Sequence, residues 1–463
     1  MLPGFSGLKY NHLFFFIQPA LSQVNKNNSS AANFSRLLET LNNEKLTIAL
    51  DANGVCQLSP QFERAIADDG FNVNELVADR GRFLYSQLLF KQSQSFWSAR
   101  QHLRKNFLKL KFENKNEQYA CSLAFHKYMG FLRFSEENLT LYLGKNNFIR
   151  KYSNGFFAKD PVFSHYVGAR AHVFLPGDII ISYGNTFTSA ISATIVHQPR
   201  SFSHMSFVVE KNGELFVYDF YVTGVSKEKL KYWLKGQAAR AAVYRFKKID
   251  FANYFYKEII KSVDGFEAKY HKSFGYYLNE SQVQYDENGD IKGSLFCNGI
   301  IPYIMKKYDK YQIRPAIMSK LYWKNAISAK NLGITDEYIY QPSDIEVDPE
   351  FELMAESVQY QNLNIAHEEQ LVSEKIAQQI YLGEYQYQPS VFIVVKTYCL
   401  KFYTYFFGQT GDDYANNIST QALESVVELN QHFVSYHKKI NNSIGNEMLI
   451  LSEDEYRRIL NEK

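Results

Sequence analysis

Residues 203–220 read Ser203-His204-Met205-Ser206-Phe207-Val208-Val209-Glu210-Lys211-Asn212-Gly213-Glu214-Leu215-Phe216-Val217-Tyr218-Asp219-Phe220. Two runs rich in β-branched and aromatic residues flank an Asn-Gly pair. Asn and Gly tolerate the positive φ of a type I′ turn, so this stretch predicts a tight antiparallel hairpin. Working outward, Pro176-Gly177-Asp178 precedes Ile179-Ile180-Ile181, a short apolar strand signal, and residues 188–196 fit a helix. On the other side, residues 241–246 read as a further strand and 251–261 as a return to helix. The middle third of the chain is therefore expected to be α+β with an antiparallel sheet.

The flanks have a different texture. Leu84, Leu88, Phe96, Leu103 and Phe107 recur at near-helical spacing within 80–110, and residues 117–134 make a second helical segment before the polar Gly144-Lys145-Asn146-Asn147. Beyond about Glu356 the strand signals fade. Val372, Ile376 and Ile380 lie four apart, and Leu423, Val426, Val427 and Phe433 trace an apolar stripe, with a break at 386–390. The division expected is a mainly helical region over 1–170, a central domain over 171–355 and a helical extension over 356–463. No fixed-period repeat is visible, which disfavours a solenoid or propeller.

The chain has 463 residues, of which 46% are hydrophobic, enough for a large buried core and more than one domain. Its 51 Lys and Arg against 48 Asp and Glu leave a formal +3, too near neutral for a globally basic nucleic-acid binder. The four cysteines, Cys56, Cys121, Cys297 and Cys399, are far apart and form no C-x-x-C or zinc-finger ladder. Neither a disulfide-stapled secreted domain nor a structural zinc site is expected, and Cys121 and Cys399 read as core residues. The longest apolar candidate, 391–407, contains Lys396 and Lys401 and reads as a buried aromatic segment, not a membrane span. The run Leu13-Phe14-Phe15-Phe16-Ile17 is short for a signal peptide and has only Lys9 before it. A soluble, cytoplasmic chain is the expectation, with secretion into a host cell left open. No P-loop, dinucleotide fingerprint or H-E-x-x-H is present, so no cofactor and no metal is expected.

The central region carries residues suited to nucleophilic catalysis. A papain-type hydrolase needs a Cys thiolate, a His that takes and returns the proton, and a polar residue that orients the imidazole. The thiolate is best generated at a helix N-terminus beside the imidazolium. His204 opens one strand of the hairpin and Asp219 ends the other, so antiparallel pairing folds the fifteen positions between them back on themselves. Cys297 stands in Leu295-Phe296-Cys297-Asn298-Gly299-Ile300-Ile301, just before an apolar stretch that could be a helix. Taken singly, each has a plainer reading. A lone Cys before an apolar helix is more often a buried small hydrophobe, and a His at a strand start is more often structural. His197 is an alternative base, although its place before Gln198-Pro199 favours a surface role, and His165 and His172 have no evident partner.

The order of the segments adds what the single residues lack. Gly177-Asp178-Ile179-Ile180, then Ser203-His204, then Phe216-Val217-Tyr218-Asp219, then Phe296-Cys297 resemble the permuted papain-like amidases, the YiiX-like branch of the NlpC superfamily. Gly224-Val225 with Leu230 and Trp233 resembles that family's turn and amphipathic segment after the acidic strand. Tyr340-Gln341-Pro342-Ser343-Asp344-Ile345 and Asp348-Pro349 resemble its closing element. The likeness covers about residues 174–352.

It implies a circularly permuted papain-like core with Cys297 as nucleophile, His204 as base and then acid, and Asp219 as the orienting carboxylate. The backbone N–H of Cys297 would help hold the oxyanion. Asp178 is expected to end a loop and shape the site entrance, and Ser203 to bond local backbone. Two positions depart from the pattern: Asn298-Gly299 stands where the family has Ser-Glu, and Asp219 where Glu is usual. The polar segment 279–293 is longer than in the family's minimal form.

The function expected is that of a bacterial-type cysteine hydrolase, amidase- or thiol-protease-like. It would cleave an amide, ester or thioester of a small-molecule, peptide or lipid substrate through a Cys acyl-enzyme. The alternatives are a lipid acyltransferase or phospholipase on the same core, as in the related lecithin:retinol acyltransferase-like proteins, or a catalytically inert binding module. In the last case the helical extensions would engage a protein partner.

Overall fold

The computed structural model describes residues 48–50, 56–58, 82–145, 162–166, 173–184, 189, 202–221, 224–234, 236, 238–269, 284–285, 291–292, 299–307, 319–320, 338–382, 431 and 434–435. The chain divides into two compact units, Met1–Phe148 and Ile149–Lys463.

In the first unit a short antiparallel ribbon, β1 (Ile48–Leu50) with β2 (Cys56–Leu58), accompanies two long helices, α1 (Arg82–Phe107) and α2 (Lys115–Lys145). Both helices are expected from the sequence: α1 falls within the segment 80–110, and α2 runs beyond 117–134 at both ends. Asn114 starts α2 firmly: its Oδ1 accepts the N–H groups of Asn116 and Glu117 at 3.0 and 3.1 Å, satisfying donors that the first turn leaves open. Glu117 reaches back to accept the Glu113 N–H at 3.0 Å and the Asn114 side-chain amide at 2.8 Å.

The seam between the helices buries Phe96, Leu103 and Phe107 with Phe125, Met129 and Leu132, and the Phe107 and Phe125 rings meet at 5.0 Å. It also buries charge. Arg100 donates to Glu136 at 2.7 Å with both side chains fully excluded from solvent, and Ser93 adds a hydroxyl bond to the same carboxylate at 2.8 Å. Cys121 on α2 is a core residue, as expected, fully excluded from solvent, but it is also bonded to Cys56 on β2, their Cα atoms 5.0 Å apart, a pairing the sequence does not indicate. Sixty-five positions separate the two, so only the tertiary fold, which lays the ribbon on α2, makes them neighbours.

The second unit is built on an antiparallel sheet. Its described strands are β3 (Val162–Tyr166), β4 (Ile179–Gly184), β5 (His204–Lys211), β6 (Glu214–Tyr221), β7 (Gly224–Lys229), β8 (Ala238–Phe246) and a long C-terminal strand at Phe351–Gln359. Three elements follow β7 and β8: the single turn α3 (Leu230–Trp233), the helix α4 (Ile249–Lys269), and the ribbon β9 (Gln284–Tyr285) with β10 (Ile291–Lys292). Then come α5 (Ile300–Lys307), the ribbon β11 (Ser319–Lys320) with β12 (Tyr338–Ile339), and a 3-10 turn at Pro342–Glu346. The long strand is β13, and α6 (Tyr360–Leu382) continues directly from it. Strand order across the sheet is β3-β13-β8-β4-β5-β6-β7. The unit is thus α+β, as expected from the sequence.

The hairpin forms as its sequence dictates. Asn212 and Gly213 have φ of 54° and 76°, and β5 pairs with β6 from Lys211↔Glu214 out to Ser206↔Asp219. Val208 and Val217 share one face with Ile180 and Ala241, and Leu230, Trp233 and Leu234 close over them. Phe207 and Phe246 point to the other face, where α4 lays Phe251 and Phe255 on them at ring separations of 4.6 to 5.7 Å. Each fully buried ring of this kind stabilises the fold by ~1.5–3 kcal/mol.

Both faces of the central strands are covered, which is why β4 and β5 are apolar runs with little alternation. The edge strand β7 carries Lys227, Glu228 and Lys229, charges that discourage further strand pairing. Among the described residues no helix is long and apolar enough to cross a membrane. The segments 188–196 (apart from Ser189), 391–407 and the stripe from Leu423 to Phe433 lie outside or almost wholly outside the described residues.

Candidate functional site

His204 and Asp219 meet. Ser206 is directly opposite Asp219 in the β5–β6 register, so His204, two residues earlier, lies on the same face and one step along the diagonal. A long side chain bridges that diagonal, and His204 Nε2 lies 2.9 Å from Asp219 Oδ1. The imidazole, with 19% of its side-chain surface exposed, stands at the first residue of β5 on the rim of the sheet, while the carboxylate is 3% exposed.

Asp219 is held by more than the imidazole. Ser206 donates its hydroxyl to the same Oδ1, and Trp233 donates its indole N–H to Oδ2 at 2.8 Å. Both carboxylate oxygens are therefore occupied within the fold, as a buried carboxylate requires. On the neighbouring edge strand, desolvation raises the carboxyl of Glu228 above the usual carboxylate range, and the Asp219 charge adds to the effect.

The sequence does not single out Ser206 or Trp233 as partners of Asp219. Ser206 shows a signal in retrospect: it shares the parity of His204 on a strand and is polar among apolar neighbours. Trp233 shows none beyond its apolar spacing with Leu230, because its N–H reaches Asp219 only after β7 and α3 fold back over the sheet.

Asp178 ends the loop that leads into β4, as expected from the sequence. It is 1% exposed, accepts Arg245 Nε at 2.6 Å on Oδ1 and a second Arg245 nitrogen at 2.9 Å on Oδ2, and also accepts the Leu175 N–H at 2.9 Å. Ser182 is the β4 residue opposite His204, and Asp178 lies four residues back, about 13 Å at the rise of an extended strand. Asp178 locks the entry to β4, where Gly177 adopts a φ of 90° and donates to the Val208 carbonyl at 2.8 Å. The Ser203 hydroxyl bonds a side chain, lying 2.5 Å from that of Ser189, which accepts the Gly184 N–H at 2.8 Å, while the Ser203 backbone N–H donates to the Ser182 carbonyl at 2.9 Å.

Cys297 and Asn298 lie outside the described residues, as do His197 and His172. Helix α5 starts three positions after Cys297, buries Ile300, Ile301, Ile304 and Met305, and packs against α4. His165 lies on β3 in register with Glu356. Among the described residues no group of His, Cys, Asp and Glu is arranged to hold a metal ion. The arrangement offers a fixed imidazole–carboxylate pair at a strand end, a device that can accept and return a proton. No protein-family model, curated protein or solved structure matches this chain.

Proposed function

We propose that the chain is a cysteine hydrolase with a permuted papain-like core, in which Cys297, His204 and Asp219 act as nucleophile, base and orienting carboxylate. The supporting observation is the His204–Asp219 pair, with its carboxylate buried and doubly occupied and its imidazole at the sheet's rim. Binding Asp219 through Nε2 commits that nitrogen, so proton exchange with the nucleophile runs through Nδ1. The reading requires Cys297 to lie within hydrogen-bond distance of Nδ1.

In the reaction, His204 Nδ1 takes the thiol proton and Sγ attacks the carbonyl carbon, giving a tetrahedral oxyanion. Collapse of that intermediate breaks the bond to the leaving amine, alcohol or thiol, which takes the proton from His204 and departs. Water then attacks the acyl-enzyme, giving its proton to His204, which returns it to Sγ as the acid is released. Asp219 accepts from Nε2 throughout and stabilises the imidazolium.

The test is hydrolysis by the full chain of a panel of peptide amides, thioesters and phospholipid vesicles. Cys297→Ala and His204→Ala are each expected to lower turnover at least 10³-fold on any substrate that responds. Turnover retained in Cys297→Ala overturns the reading.

A further inference from the structure

Asp219 could orient His204 only if the carboxylate itself cannot turn, and a lone carboxylate on a strand rotates about χ2 at little cost. Here rotation is blocked from two sides. Ser206 lies opposite Asp219 on β5 and donates to the oxygen that also faces His204, while Trp233 donates to the other oxygen. The indole is 8% exposed and wedged among Ile180, Val208, Val217, Leu230, Leu234 and Ala241, so its N–H is aimed by the packed face of the sheet. No apolar contact requires the indole nitrogen, and a Phe ring would fill much of the same space.

We propose that Trp233, with Ser206, is a positioning residue that clamps Asp219 so that Oδ1 alone is presented to His204 Nε2. The inference rests on the reading of His204 and Asp219 as a proton-transfer pair, and it assigns the turn Leu230–Trp233 a part in the site. Without the Trp233 donor, Oδ2 is a buried acceptor with no partner, and the carboxylate swings to recover one. The bond to His204 lengthens and the Nε2 proton becomes accessible to water.

The readout is the Nε2 proton of His204 in the full-length protein labelled with ¹⁵N-histidine and assigned by its loss in His204→Gln. In the wild type this proton is expected far downfield and protected from exchange with solvent. Trp233→Phe is expected to move it upfield and speed its exchange at least tenfold, whereas Trp97→Phe, in the other unit, leaves both unchanged.

Should Trp233→Phe not fold, Ser206→Ala removes the other neutral donor with the loss of one atom and is expected to give the same acceleration. Unchanged exchange in the folded variant overturns the clamp, as does the absence of a protected proton in the wild type. Faster exchange with unaltered alkylation of Cys297 supports the clamp and counts against the hydrolase reading, so the two fail separately.

Discussion

His204 and Asp219 bond at 2.9 Å although the strand register does not set them opposite one another; Asp219 faces Ser206, and His204 reaches it along the diagonal. The geometry places the donor residue of the register pair under the carboxylate and leaves the imidazole, 19% exposed, at the strand's first position. Asp219 thereby has a structural role and, under the proposed mechanism, a chemical one, and the two can be separated by measurement.

Removing the carboxylate should cost stability as well as chemistry. Asp219→Ala leaves the buried Ser206 hydroxyl and Trp233 N–H without their acceptor, a loss of about 3 kcal/mol. His204→Ala, at the partly exposed rim, should cost less than about 1 kcal/mol. Urea unfolding of the two variants checks the contrast, and equal losses would show that Asp219 is not the hub of this face.

At the other end of β4, Arg245 holds Asp178 through two nitrogens, with the carboxylate 1% exposed. Arg245→Ala strands a buried charge that keeps its bond from the Leu175 N–H, and about 2–3 kcal/mol should be lost, somewhat below the fully buried case because the Arg side chain is 27% exposed. His204 is far along the strand, so alkylation of Cys297 in the folded variant should match the wild type. A change in that reactivity would mean that Asp178 does bear on the site.

The Cys56–Cys121 bond closes a separation of 65 positions, for which the loop-entropy relation gives about 4 kcal/mol. Cys56→Ser, or reduction, should lower the stability of the first unit by up to that amount and leave the second unit's transition in place. Peptide mapping without reductant should recover the two cysteines linked. Two free thiols in protein purified under oxidising conditions would contradict the pairing.

His126, buried in α2, is held down to a pKa of about 3 by desolvation first and by the Arg133 charge second. In the unfolded chain the same group titrates near 6.5, so between those values the unfolded state binds the extra proton and stability falls with acid. The contribution is intact above about pH 6.5 and lost as pH drops toward 3, at no more than ~1.4 kcal/mol per pH unit. Denaturant midpoints of the first unit between pH 4 and 7 test this. His126→Gln should flatten the slope, and an unchanged slope would assign the acid sensitivity to other groups.

Much of the second unit was legible because its signals are local. Asn212-Gly213 sets its own backbone, and the runs at Ile179, Met205, Leu215 and Ala241 are apolar enough to be strands. Strand β13 was missed: Phe351–Gln359 mixes Glu352 and Glu356 with small residues, and its pairing with β3 and β8 joins segments distant in sequence. Glu356 is tolerated inside because Arg240, on the facing strand, bonds it there. Strand β7 was read only as a turn and its sequel, since charged edge strands lack an apolar pattern.

In the site, His204 and Asp219 were found because hairpin pairing is predictable from the turn. The roles of Trp233 and Asp178 were not, because each depends on a partner brought by tertiary packing.

The central claim, that His204 activates Cys297, is tested most directly by the pH dependence of Cys297 alkylation by iodoacetamide in the wild type and in His204→Ala. With His204 as the base, the thiolate is already reactive near pH 6, and its reactivity at that pH is lost in His204→Ala. Reactivity that rises only near the ordinary thiol pKa of about 8.5, and is the same in both proteins, would contradict it.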